Sequence, residues 1–109
     1  ESPMYAVLRF TLHKDRSIPA PQYQTTTGPL TPQVNSGAFY GTTGLGPDLY
    51  IAAQEAIRAM IDHLTESYDL SREDAYVLSS LAVDLKISEI VDAGQYVVSA
   101  VLPLAIFRR

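Results

Sequence analysis

An α+β fold, an antiparallel β-sheet with two helices packed on it, is what this sequence predicts, and three observations carry the prediction. Leu49, Ala52, Ala53, Ala56, Ile57, Met60, Ile61 and Leu64 recur at three and four, the period of a helix buried along one side. Ser71-Arg-Glu-Asp74 has the form of a capping box and opens a second helix. Runs of strand character stand on either side: Pro3 to Lys14 alternates between two faces, and Tyr96 to Leu102 is dense in β-prone side chains.

In the first run Met4, Ala6, Leu8, Phe10 and Leu12 fall on one side, and Tyr5, Arg9, Thr11 and His13 on the other, with Val7 the exception. That pattern predicts a strand with one face in a core. Lys14 to Ser17 is a charged turn. Pro19, Pro21, Pro29 and Pro32 exclude a helix from the next segment and confine any strand to Gln22 to Thr27, at a sheet edge. Thr31 to Gly37 reads as loop, and Ala38 to Tyr40 as a short extended piece leading into a glycine turn that spans Gly41 to Gly46.

Gly46-Pro47-Asp48 starts the long helix, with glycine available at the cap, proline in the first turn and a carboxylate near the positive end of the dipole. Small Ala52, Ala53 and Ala56 let this helix lie close against a sheet, and Tyr68-Asp69-Leu70 ends it. The second helix runs through Ala75, Leu78, Leu81 and Ala82 and fades near Val83. From Asp84 the period becomes two, with a slip at Glu89. Asp92 to Gln95 is a turn with a glycine placed for a left-handed residue, so Tyr96 to Leu102 is the hairpin partner of the strand before it. Pro103 bends the path, and Leu104 to Phe107 closes the chain.

With 109 residues, 47% of them hydrophobic, and a net charge of -4, the chain suits one domain around one core. No apolar run approaches the roughly 20 residues that cross a bilayer, and the first residues lack the order of a signal peptide, so a soluble, cytoplasmic protein without a membrane partner is expected. The absence of cysteine removes disulfides, thiolate metal sites and cysteine nucleophiles. An acidic balance argues against nucleic acid, and Arg108-Arg109 is too short to form a basic stripe. The chain opens on Glu1 and runs straight into a strand, which suggests a piece of something longer.

A glycine-rich approach to a helix start exposes backbone N–H groups, which suits an anion or a developing oxyanion and equally suits an ordinary turn. It lacks the lysine and hydroxyl of a phosphate loop. Thr42 and Thr43 are the hydroxyls that would face such a pocket. Asp84 lies between Val83 and Leu85, where a carboxylate points outward, satisfies nearby backbone or orders a site. His13 and His63 read as solvated or core-edge residues, and no Ser-His-Asp order or G-x-S-x-G elbow occurs. The 7 tyrosines are spread along the chain instead of clustered.

Tyr40-Gly-Thr-Thr-Gly-Leu-Gly-Pro-Asp-Leu49, the helix from Ala52 to Leu64, Ser71-Arg-Glu-Asp-Ala-Tyr76, Leu81-Ala-Val-Asp-Leu-Lys-Ile-Ser-Glu-Ile-Val-Asp92 and the run from Val97 to Phe107 together resemble the C-terminal part of the acetamidase/formamidase family. The match covers nearly the whole chain in order, with Val83 departing from a common glycine. The resemblance implies that residues 1–109 form a single domain within a larger β-rich amidohydrolase fold. It also implies hydrolysis of short aliphatic amides, formamide or acetamide, to ammonia and a carboxylate. Its implied partners are the N-terminal portion of the same protein, a small amide substrate and further copies in a homo-oligomer. A divalent metal, zinc foremost, is implied for the complete enzyme. The family's metal signature, Gly-Asp-x-His-Ala-x-Gln-Gly-x-Gly-Glu, lies upstream and no stretch here matches it, so no metal ligand and no catalytic residue is assigned in this segment. Tyr40, Thr42, Thr43, Gly44 and Asp84 are the candidate lining of the substrate pocket. The alternative of another class is a non-catalytic binding or assembly module on the same fold.

Overall fold

A computed structural model of the chain describes residues 3–26, 37–90 and 94–107. In chain order the elements are β1 (Gln22–Gln24), β2 (Phe39–Gly46), α1 (Leu49–Tyr68), α2 (Arg72–Ala82), β3 (Asp84–Glu89), β4 (Tyr96–Pro103) and a short 3-10 turn (Leu104–Ile106). Among the described residues the strands form one antiparallel sheet in the order β1-β2-β4-β3, so the predicted α+β architecture is the observed one. No helix among these residues is long and apolar enough to cross a membrane.

The long helix follows its period. Ala52, Ala56, Met60 and Leu64 recur every four residues and are wholly buried, and they meet Val98, Ala100 and Leu102 of β4 in the core. Its cap lies two residues beyond the expected glycine: Asp48 has extended backbone angles and its carboxylate accepts the Ile51 N–H at 2.9 Å. A side-chain oxygen satisfies a free helix donor where glycine has nothing to offer, and Gly46 remains in the ladder opposite Tyr96. At the other end Asp69 takes the left-handed conformation (φ 54°), one of the few side chains that tolerates it. Ser71 caps α2 as expected, accepting the Asp74 N–H at 3.1 Å.

The β3–β4 hairpin also follows the sequence. Its register shifts between Ile87 and Glu89, where the alternation slips, so the extra residue is taken up as a bulge. Gly94 has φ 105°, and the rest of the predicted turn at Asp92 and Ala93 lies outside the described residues. The loop expected over Thr31 to Gly37 likewise lies outside them, apart from Gly37. Gln22–Gln24 is the edge strand the prolines allow.

Two expectations are corrected. Residues 3–13 form no strand, and their apolar side chains stand in the open: Met4 is 82% exposed, Phe10 86% and Leu12 78%. Alternation gives this stretch two faces, but a strand also needs a neighbour for its N–H and C=O groups, and none pairs with it among the described residues. The glycine turn is the other correction, because Gly41 to Gly46 continues β2 with a register partner on β4 at every position. Its glycines provide clearance. A Cβ on Gly41 would enter the Tyr23 ring, and one on Gly44 would strike the Ala52 carbonyl and come within 2.9 Å of the Ala56 nitrogen. Absent side chains are therefore what lets α1 and Tyr23 sit directly on the strand.

Candidate functional site

Strand alternation sorts the five sequence-predicted pocket residues. Tyr40, Thr42 and Gly44 lie on the face of β2 that meets α1, and Thr43 lies on the opposite face. Asp84 is in register with Val101, which is in register with Gly41, so it shares the face of Thr43 two strands away. The structure therefore brings three of them together and sets two apart.

Their contacts differ as well. Thr42 is wholly buried, and its Oγ1 donates to the Ala56 carbonyl at 2.7 Å, joining sheet to helix. Thr43 Oγ1 donates to the Pro21 carbonyl at 2.6 Å and fastens the approach to β1. Gly44 lies against the backbone of α1. Asp84 is exposed and, with Phe39, Lys86 and Pro103, borders a hollow of about 30 Å³, room for roughly one water. The backbone donors expected at the glycine stretch belong to a strand paired with β4 throughout and with β1 at Tyr40 to Thr42.

Tyr40 leads to a site that sequence reasoning missed. Its ring stacks on His63 of α1 with centroids 3.6 Å apart and planes 5° from parallel, while its hydroxyl donates to Gln22 Oε1 at 2.6 Å. His63 in turn meets Tyr68 edge-on at 5.9 Å, and Tyr68 stacks on Phe107 at 3.8 Å. Four rings from β2, α1 and the chain end thus form one continuous wall. The signal available in sequence was position. His63 is one residue before the buried stripe position Leu64, and Tyr68 follows one turn later. Nothing in the sequence says that Tyr40, well before His63 in the chain, and Phe107, well after Tyr68, come together with them.

The wall faces open space on two sides. A cleft of about 720 Å³ is lined by Gln24, His63, Ser67, Tyr68, Leu104 and Phe107 among others, and a second of about 360 Å³ by His13, Arg16, Gln22, Gln24 and Tyr40 among others. Burial pushes the His63 pKa below its ordinary value, and the nearby Arg16 cation adds to this, while Glu66 pulls the other way. The ring is consequently neutral at pH 7, with Nδ1 3.2 Å from the Ser67 hydroxyl. A neutral imidazole beside a carboxamide and aromatic faces can hydrogen-bond a small polar molecule and take up a proton from it. Among the described residues no group of three or more His, Asp or Glu side chains converges to hold a metal ion, so the side chains present do not fit the metal implied for the complete enzyme.

Sheet, helices and ring wall define a small α+β domain with an aromatic, carboxamide-bearing cleft at one end of its sheet. Residues 4–109 match the sequence profile of the Acetamidase/Formamidase family, and the chain belongs to that family. Membership supports amide hydrolysis in general. No curated protein matches the chain.

Proposed function

We propose that this chain is the C-terminal portion of a cytoplasmic hydrolase that cleaves the carbon–nitrogen bond of short aliphatic amides such as formamide and acetamide. The family match over residues 4–109 is the observation that carries this reading. Hydrolysis of an unactivated amide adds water across the C–N bond and gives a carboxylate and ammonia. It needs an activated water, a donor to the carbonyl oxygen as charge develops there, and a proton for the departing nitrogen. A divalent metal, zinc foremost, held by ligands in the N-terminal portion of the same protein would supply such a water when bound.

This chain then supplies part of the substrate pocket. His63 lines one cleft and Tyr40, stacked on it, lines the other, with Gln24 common to both; the Gln24 carboxamide is complementary to an amide or to the product carboxylate, and the neutral imidazole is able to carry a proton. Thr42, Thr43 and Gly44 hold the strand that presents Tyr40, whereas Asp84 borders a separate, water-sized hollow on the opposite sheet face. The test is ammonia release from formamide and acetamide by the complete protein, its His63→Gln variant and its Tyr40→Phe variant. We expect kcat/KM to fall at least tenfold for His63→Gln and severalfold for Tyr40→Phe, whose lost hydroxyl frees Gln22. Full activity in a folded His63→Gln protein would remove this cleft from the pocket. No ammonia from any short amide would leave the assembly-module reading in its place.

A further inference from the structure

The cleft beside Tyr40 carries positive charge and hydrogen-bond donors without a balancing acid. Its lining includes His13, Arg16, Gln22 and Gln24 and, among the described residues, no Asp or Glu, although the chain as a whole has a net charge of -4. Arg16 makes no ion pair with a described residue, and its neighbour Asp15 is not part of the lining. A guanidinium has five N–H donors and no acceptor, so in this cleft it calls for an anion from outside the lining.

Gln22 adds direction. It is in register with Thr42, which puts it on the sheet face of Tyr40, and its half-buried carboxamide accepts the Tyr40 hydroxyl through Oε1 at 2.6 Å. The acceptor end is thereby engaged by the protein, and the N–H2 end is what the residue offers to a ligand. A guanidinium fork and a carboxamide are both planar donors matched to the two oxygens of a carboxylate. Ile18 and the buried Tyr40 ring provide apolar walls, which suit a carbon chain attached to that carboxylate and give nothing to a bare inorganic anion. At about 360 Å³ the cleft has the size of a small-molecule site.

We propose that Arg16 and Gln22 form a binding site for the carboxylate of a small organic acid, with Ile18 and the Tyr40 ring against its carbon chain. The site stands on its own chemistry; only the origin of the carboxylate rests on the amide-hydrolase reading, in which it is the acid that hydrolysis releases or an acid group borne by the amide. Burial and then the Arg16 cation lower the His63 pKa, with Glu66 opposing, so an anion seated at Arg16 is felt at the imidazole next door.

That coupling provides the test. The sequence has two histidines, whose imidazole signals can be followed by proton NMR in the full chain. Sodium propionate, titrated at an ionic strength held with sodium chloride, should bind saturably and raise the His63 pKa, because the bound anion offsets the Arg16 charge. Arg16→Gln should weaken propionate roughly fivefold, and Arg16→Lys should recover part of the loss. Gln22→Glu keeps an acceptor for Tyr40 but places a carboxylate where the N–H2 group stood, and should abolish saturable binding. Equal affinity in the native chain and Arg16→Gln, undiminished binding in Gln22→Glu, or sodium phosphate bound as tightly as propionate would each overturn the proposal. In the complete protein, propionate that inhibits acetamide hydrolysis competitively, and less so in Arg16→Gln, identifies the released acid as the occupant. Succinamate cleaved in preference to butyramide, with the preference lost in Arg16→Gln, identifies an acid group of the substrate. Propionate binding in a protein that cleaves no amide would keep the site and remove the hydrolase reading, and amide cleavage without Arg16-dependent binding would do the reverse.

Discussion

Replacing Gly44 by alanine adds one methyl group where α1 crosses β2, and the structure says what that methyl meets. Its neighbours are the carbonyl of Ala52 and the amide nitrogen of Ala56, both helix backbone, so no flexible side chain can turn aside. The helix has to lift, and lifting it stretches the 2.7 Å bond from Thr42 to the Ala56 carbonyl. Overpacking of this kind costs about 1–3 kcal/mol, and the strained hydrogen bond adds about 1 kcal/mol. The sum, about 3 kcal/mol, should lower the midpoint of thermal unfolding by roughly 12–24 °C for a domain of this size. Gly46→Ala is the control. A Cβ there meets nothing within 4 Å, so the substitution should be neutral or stabilise by up to about 1 kcal/mol through the unfolded chain. The assay is unfolding of the full chain followed by circular dichroism. If Gly44→Ala melts within about 2 °C of the native protein, the close approach of helix to strand is wrong.

Two further outcomes are expected. Thr42→Val keeps the shape of a wholly buried side chain but removes its bond to Ala56, and should cost about 1 kcal/mol in urea unfolding with helix content unchanged. The lowered pKa of His63 makes stability depend on pH in a definite direction. The unfolded chain binds this proton more readily than the folded one. Stability from this source is therefore complete above about 6.5, the ordinary histidine value, and is lost as pH falls from there through the lowered folded value. His63→Gln should flatten that part of the pH profile, and a profile that keeps its slope in the variant would show that another group is responsible.

What the sequence made legible were features whose cause lies within a few residues of their effect. The four-residue recurrence of Ala52, Ala56, Met60 and Leu64, the reach of Ser71 to the Asp74 amide and the slip that becomes a bulge before Glu89 are all local geometry. Gly41 and Gly44 were misread because the same residue permits a turn and a close contact, and only the approach of Tyr23 and α1 decides between them. The Tyr40–His63 stack was invisible for a related reason. Its members lie 23 positions apart, and the pairing of β2 with β4 that fixes their frame joins residues farther apart still. At residues 3–13 the alternation was real, but its partner is not among the described residues, and pattern alone cannot supply one.

The seat of α1 on β2 also bears on how the cleft beside His63 can admit a guest. Backbone touches backbone at Gly44, and a hydroxyl ties the two elements at Thr42, so this contact leaves no slack for the helix to rock or slide. His63 is carried on that rigid unit. The opposite bank is the short turn at Leu104–Ile106 and Phe107, whose ring stacks on Tyr68 and packs against the core, with Leu104 N–H donating to the Ala38 carbonyl. The His63 ring is therefore held between a helix seated backbone to backbone on the sheet and the Tyr40 and Tyr68 rings, and its orientation is set by the α1–β2 contact.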